Sequence, residues 1–99
     1  MAIALIFTPA AMSAAQYDEI HRRLVAAGEG APRGRIFHAC HGSGDHMQVF
    51  DAWESRESFE RFAGTLIPIL GEVGVDPGEP RLAEIHYLAA GELPATQAA

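Results

Sequence analysis

The fold is decided by residues 35–53, which read RIFHACHGSGDHMQVFDAW. Two runs rich in strand-forming residues flank the turn formers at 42–45, and this pattern predicts a β-hairpin. Side chains two apart in a strand share a face, so Asp51 lies on the same face as Val49 and Trp53. With pairing symmetric about Ser43 and Gly44, that face also carries His38. The hairpin therefore predicts an acid, an imidazole and an indole on one apolar wall, as in a small-molecule pocket.

The composition indicates one soluble domain of 99 residues, 48% hydrophobic and 20% charged, with a formal net charge of −6. Its seven basic residues are all arginines, scattered along the chain, which argues against binding to nucleic acid. The absence of lysine excludes Schiff-base chemistry on a side-chain amine. No apolar run approaches the roughly 20 residues of a membrane span. With a single cysteine, Cys40, expected to be a small buried hydrophobe, the chain is predicted to be cytoplasmic.

The first half of the chain predicts a strand at 3–8 and a helix at 14–27. Proline at position 9 ends the strand because it cannot donate to a ladder. Ser13 followed three residues later by Gln16 is a capping-box pattern that begins the helix. Gly28 and Gly30 end it.

The second half predicts a helix capped by Ser55 and a last strand at 81–89. Pro68 is expected to divide the helix, with Thr65 capping a short second segment that runs to about Val73. Residues 91–99 are predicted to be a mobile tail after a single domain at 1–90.

This element order predicts an α+β, ferredoxin-like βαββαβ fold, in which two helices cover one face of a four-stranded antiparallel sheet. The uncovered face is expected to carry Ile36, Met47, Val49 and Trp53. So large an apolar patch is unusual on a soluble monomer, and it predicts a homodimer formed sheet to sheet.

Residues 3–89 resemble the dimeric α/β barrel superfamily, and within it the small proteins similar to antibiotic-biosynthesis monooxygenases (ABM-like). Five stretches carry the resemblance: Gln16-Tyr17-Asp18, Gly34-x-x-x-His38, residues 50–55 (FDAWES), residues 59–62 (FERF) and Leu66-x-Pro68-x-Leu70. The resemblance implies a dimer around a cavity that receives an aromatic or polyketide-like molecule, and a Trp in the pocket at Trp53. It also implies oxygenation without a cofactor. Since the superfamily includes haem-degrading enzymes, isomerases, decarboxylases and proteins of no assigned activity, the fold alone does not decide the function.

The candidate catalytic residues are His38 and Asp51. An imidazole titrates near neutral pH and could take a proton from a phenol or enol, with the carboxylate orienting it. The alternative for His38 is a hydrogen-bonded core histidine. The candidate substrate-binding residues are Trp53, His86, Ile36, Val49 and Met47, whereas Tyr17 is expected in the core or an interface.

Two classes of function stay open at this point. The first is a small-molecule-binding ABM-like protein. Its candidate activity is that of a cofactor-independent monooxygenase acting on an aromatic or polyketide-like substrate. The second is a non-catalytic ligand-binding or structural dimer; an isomerase or decarboxylase would use the same pocket base. A metal held by His38, His86 and either Asp51 or Glu84 has no support from local spacing, so no metal or cofactor is predicted.

Overall fold

The computed structural model describes residues 1–92, which form a four-stranded antiparallel sheet in the order β2-β3-β1-β4 with two helices. The elements are β1 (Ile3–Phe7), α1 (Ala14–Ala26), β2 (Arg35–Ser43), β3 (His46–Trp53), α2 (Arg56–Val73) and β4 (Arg81–Glu84). The predicted α+β, ferredoxin-like βαββαβ arrangement is confirmed. The tail predicted at 91–99 lies outside the described residues, apart from Gly91 and Glu92.

Helix α1 begins at the predicted capping box. The Gln16 backbone N–H donates to Ser13 Oγ at 3.0 Å, and the Ser13 N–H donates to Gln16 Oε1 at 2.9 Å. Two N–H groups that have no partner within the helix are thereby satisfied. Ile20 and Leu24, four residues apart on one face, are buried against the sheet.

Helix α2 is continuous across Pro68, so the predicted division at Thr65 is wrong. Both Pro68 and Gly64, whose carbonyl would have accepted the missing hydrogen bond, are exposed. Water can solvate that carbonyl, and the buried face of the helix keeps its packing through Phe62, Ile69 and Leu70. The helix ends at Gly74 in the left-handed conformation, as is common for a C-terminal cap.

The hairpin pairs about Gly44 and Asp45 rather than about Ser43 and Gly44. Gly44 has φ of +59°, the positive value that a two-residue hairpin turn with glycine first requires. The shift moves the pairing by two residues, an even number, so the predicted sharing of faces survives. Its effect is to bring His38 directly opposite Asp51.

The face that carries His38, Asp51 and Trp53 is the one covered by the helices, and here the expectation for the uncovered face is wrong. Trp53 is fully buried in the core, and Met47 and Val49 pack against that core. On the neighbouring strand β1, the buried residues Ile3 and Phe7 pair directly opposite Trp53 and Val49, and Leu5 pairs opposite Asp51. The opposite face of the sheet, which we call the outer face, instead carries Ala4, Ile6, Phe37, Ala39, Phe50 and Ala52.

Strand β4 ends at Glu84, five residues earlier than predicted. Its partner β1 runs antiparallel and begins at Ile3, which pairs with Glu84. One more bond forms, from the Ile85 N–H to the Ala2 carbonyl at 2.9 Å, and then β1 offers no further partner. His86 is therefore exposed beyond the strand. Within residues 1–92, no helix is both long enough and apolar enough to cross a membrane.

Candidate functional site

A cavity of about 70 Å³ lies between the helix-covered face of the sheet and the two helices. Since one water needs roughly 10–15 Å³ by this measure, the cavity has room for several. Its apolar lining is Phe7, Pro9, Met12, Ile20, Leu24, Val49, Phe62, Leu66, Leu70, Val75 and Pro77. Its polar lining is Tyr17, His21, Glu29, Arg35, His38 and Asp51. A mostly apolar hollow with a few polar groups is the usual makeup of a small-molecule site.

Three polar side chains of this lining form a continuous hydrogen-bonded chain. His38 Nδ1 lies 2.6 Å from Asp51 Oδ1, and His38 Nε2 lies 2.5 Å from the Tyr17 hydroxyl. An ionised carboxylate can only accept, which assigns the Nδ1 proton to His38 and leaves Nε2 to accept from Tyr17. The phenol of Tyr17 is thus the end of a relay whose other end is Asp51.

Asp51 is held in place from behind by Trp53. The indole Nε1–H donates to Asp51 Oδ2 at 3.2 Å, while the ring packs against Phe59 and Phe62 at centroid distances of 5.6 and 5.3 Å. Both carboxylate oxygens therefore accept a hydrogen bond, although the Asp51 side chain is only 4% exposed. The buried charge is satisfied and its orientation is defined.

Tyr17 is a neutral phenol in this setting. Burial, followed by the charges of Cys40, Asp51 and Asp18, raises the pKa of Tyr17 to about 12, against the opposing effect of the Arg35 guanidinium. Its ring lies nearly parallel to the imidazoles of His21 and His38, at centroid distances of 6.4 and 6.0 Å. At neutral pH the hydroxyl can therefore donate a proton but carries no charge of its own.

Arg35 enters the cavity through an irregularity at the start of β2. Gly34, with φ of +93°, precedes it and packs so closely on the start of α2 that a Cβ there would lie 2.5 Å from Ser58 Oγ. The Arg35 Nη2 group donates to the Gly30 carbonyl at 3.2 Å, and the guanidinium carbon stands 6.0 Å from the Phe62 ring centroid.

The predicted site residues are brought together only in part. His38, Asp51 and Val49 line the cavity. Trp53 and Met47 lie outside the lining: Trp53 is in the core beside Asp51, and Met47 packs against that core. Ile36 is 48% exposed, in the irregular part of β2. His86 is exposed past the end of β4.

Two residues of the site, Tyr17 and Arg35, were not predicted as such. Tyr17 lies three residues before Ile20 and seven before Leu24, at the spacing of one helix face. This spacing indicates that Tyr17 faces the sheet together with them. Arg35 is three residues from His38, a spacing that places two side chains on opposite faces of a regular strand. Nothing in the sequence marks the irregularity that brings them together.

Cys40 is a free thiol on the same strand, half-buried. Burial, with a smaller contribution from the charge of Asp18, raises its pKa, which disfavours the thiolate a nucleophile requires. Among residues 1–92, no three His, Cys, Asp or Glu side chains are grouped closely enough to hold a metal ion.

Three solved structures share this architecture at low sequence identity. One is a candidate antibiotic biosynthesis monooxygenase from Chloroflexus aurantiacus, with a TM-score of 0.64 and 11% identity over 91% of this chain and 98% of that one. A protein of unknown function from Nitrosomonas europaea gives 0.59 and 22%, over 95% of both chains. SnoaB, a cofactor-independent oxygenase from Streptomyces nogalater, gives 0.53 and 19%, over 94% of this chain and 95% of that one. These likenesses establish the fold alone. No protein-family model matches the sequence, and no curated protein matches it.

Proposed function

We propose that this chain, which has the fold of the ABM-like proteins of the dimeric α/β barrel superfamily, binds a small aromatic molecule and oxygenates it without a cofactor. One observation carries the proposal: the cavity reaches the relay of Tyr17, His38 and Asp51 instead of being filled by side chains. A structural dimer would need no open space at a half-buried imidazole. The volume of about 70 Å³ limits what the cavity can hold to at most a single ring, either a one-ring ligand or one ring of a larger polyketide-like molecule.

The relay supplies proton transfer. A substrate hydroxyl gives its proton to the Tyr17 oxygen as the Tyr17 proton passes to His38 Nε2, and Asp51 stabilises the imidazolium that results. The substrate anion, richer in electrons than the neutral phenol, then reacts with dioxygen. The O–O bond breaks and one oxygen atom becomes bonded to a ring carbon. That carbon loses its hydrogen, the hydroxyl has lost its proton, and both leave with the second oxygen atom as water. The product is a quinone, so the balance requires only the substrate and dioxygen.

The alternative functions use the same cavity. An isomerase or decarboxylase would employ the same proton transfer without dioxygen, and a non-catalytic dimer would bind a ligand without turnover. The residues of the site are compatible with each of them. Dependence of product formation on dioxygen separates the first alternative from oxygenation, and binding without product identifies the second.

We further propose that the protein is a homodimer joined through the outer face of the sheet. Phe37 is 46% exposed there, and its ring meets Phe50 edge to face at 6.1 Å between centroids. A phenylalanine pair on an uncovered sheet face is the composition that a sheet-to-sheet contact buries. The free thiol of Cys40 fits the predicted cytoplasmic location, where thiols stay reduced.

The test combines a ligand screen with oxygen consumption. Quinols, flavonoids, haem and divalent metals are screened by thermal shift, since a ligand of the native state raises the melting temperature. Each phenolic ligand found is then assayed for dioxygen uptake in the presence of a chelator. We expect uptake with the wild type and a loss of roughly 10²-fold or more in His38→Ala, with His41→Ala, an exposed histidine of the same strand, as the control. Equal uptake by both variants would remove His38 from the mechanism.

A further inference from the structure

We infer that Arg35 binds an anionic group of the ligand, so the cavity selects a phenol that also carries a carboxylate over a neutral phenol. The inference rests on the proposed function, because it names the substrate class of that same cavity. It does not depend on whether the ligand is oxygenated. Four observations support it.

The first is the position of Arg35 in the sheet. On β2, Arg35 pairs with Trp53 and Phe37 pairs with Ala52, so two residues of β2 correspond to one step of β3. This is a β-bulge, a feature that redirects a side chain. Because Trp53 and Asp51 share a face, their partners Arg35 and His38 share it too, despite their odd spacing. The bulge thus delivers a cation to the wall that carries the proton relay.

The second observation is that, within residues 1–92, most N–H donors of the Arg35 guanidinium are not used in hydrogen bonds to the protein. It has five N–H groups, and among the described residues its hydrogen bonding is limited to one protein acceptor, the Gly30 carbonyl. Within residues 1–92, no carboxylate lies at ion-pair distance from it. A planar fork with unused donors matches the two oxygens of a carboxylate.

The third observation concerns the two acidic residues in the cavity lining, Glu29 and Asp51. Asp51 is occupied at both oxygens, by His38 and Trp53. Glu29 is half-buried and lies farther than ion-pair distance from Arg35. Neither carboxylate forms an ion pair with the guanidinium, so a ligand anion can take that place.

The fourth observation is that Arg35 and the proton relay line the same cavity. The charge of the guanidinium also acts on Tyr17, where it opposes the rise in the pKa of the phenol. A one-ring molecule bound in this cavity can therefore place its hydroxyl at the relay and its carboxylate at Arg35. The apolar ring of Phe62 beside the guanidinium lowers the local dielectric, which strengthens the pairing.

The test compares two isosteric probes, para-hydroxybenzoate and para-hydroxybenzamide, which differ in charge but have the same phenol. Their Kd values are measured by calorimetry with the purified wild-type protein. A charge-assisted hydrogen bond predicts that the carboxylate binds about tenfold more tightly than the amide. In Arg35→Gln this ratio should fall to about one, through loss of carboxylate binding and not through gain of amide binding.

Two variants separate the roles of the residues. Arg61→Gln removes an exposed arginine of α2 that lies outside the cavity lining, so it lowers the net charge equally and should leave the ratio near ten. His38→Ala should also keep the preference for the carboxylate, since it removes the base and not the cation. Should Arg35→Gln fold poorly, Arg35→Lys and an increase in salt concentration provide the second measurement; each should reduce the ratio without abolishing it.

The outcomes distinguish this inference from the proposed function. A carboxylate preference that depends on Arg35, without dioxygen uptake, supports the anion site and contradicts oxygenation. Dioxygen uptake with equal affinity for both probes contradicts the anion site and leaves oxygenation standing. A ratio unchanged in Arg35→Gln, or a wild type that binds neither probe, overturns the assignment of Arg35.

Discussion

His38 and Asp51 lie directly opposite each other on β2 and β3, with Nδ1 of the imidazole 2.6 Å from Oδ1 of the carboxylate. Opposed side chains of an antiparallel pair are the closest neighbours across strands. The carboxylate fixes the imidazole tautomer and leaves Nε2 as an acceptor toward Tyr17. A pair of strands, rather than a loop, therefore holds the proposed base.

Asp51→Asn should lower both stability and turnover. Asp51 accepts bonds at two oxygens, whereas an amide has one oxygen, so either His38 or Trp53 loses its acceptor. A buried donor left unsatisfied costs about 1–3 kcal/mol in the free energy of unfolding. Urea denaturation measures this cost. The control is Asp45→Asn at the exposed turn, and a loss of equal size in both variants would contradict the role assigned to Asp51.

Tyr17→Phe should abolish a tyrosine ionisation that the wild-type protein shows only at high pH. In the folded protein the pKa of Tyr17 is raised to about 12 from 10.0, chiefly by burial. The folded state thus holds this proton more tightly than the unfolded state does. Its contribution to stability is present below pH 10 and is lost as the pH rises toward about 12. In a pH titration followed by ultraviolet absorbance, the wild type should show a late phase, the ionisation of a tyrosine near pH 12. Tyr17→Phe should lack this late phase.

The matched control for Tyr17 is Tyr87→Phe, since Tyr87 is 81% exposed. This variant should keep the late phase and full turnover, while Tyr17→Phe loses turnover along with the relay. A late phase that disappears with Tyr87 and persists without Tyr17 would show that the wrong tyrosine has been placed in the cavity.

Ser13→Ala should destabilise the helix that presents Tyr17. The substitution removes one half of the capping box and leaves the Gln16 N–H without its acceptor, at a cost of about 1 kcal/mol. Thermal unfolding measures the loss. Ser43→Ala, an exposed serine at the hairpin turn, is the control and should have little effect. If Ser13→Ala matches the wild type in stability, the cap contributes nothing to α1.

Phe37→Asp should convert the proposed dimer to a monomer. Phe37 is exposed on the outer face, and a charge there opposes burial against a second sheet. Sedimentation velocity reports the change in mass. Ile67→Asp places the same charge on an exposed position of α2 and should leave the dimer intact. A wild type that sediments as a single chain contradicts the dimer outright.

The fold could be predicted because its signals are local. The capping box of Ser13 and Gln16 and the cap at Ser55 begin helices through contacts within one turn of chain. The alternation of β3 placed Asp51 and Trp53 on one face, and this conclusion survived a pairing that differed from the predicted one by two residues. The division of α2 at Pro68 was wrong because burial of one face of a helix outweighs a missing bond on its exposed face.

The candidate site could be predicted only in its central pair. Sequence spacing placed His38 and Asp51 together, but gave no sign that Tyr17, 21 residues before His38, donates to its Nε2. Nor did it show which face of the sheet the helices cover, so Val49 and Trp53 were expected on the wrong side. The bulge that turns Arg35 toward His38 is likewise invisible in a strand pattern.

The sequence by itself determined the order of the elements, where the helices begin, and which residues of β3 share a face. Each of these depends on residues that are near neighbours along the chain. Only the tertiary structure decided that the imidazole faces the helices, that a phenol from α1 completes the relay, and that an arginine shares its wall. These depend on how distant segments pack, and packing minimises the free energy of the whole core rather than of any one segment.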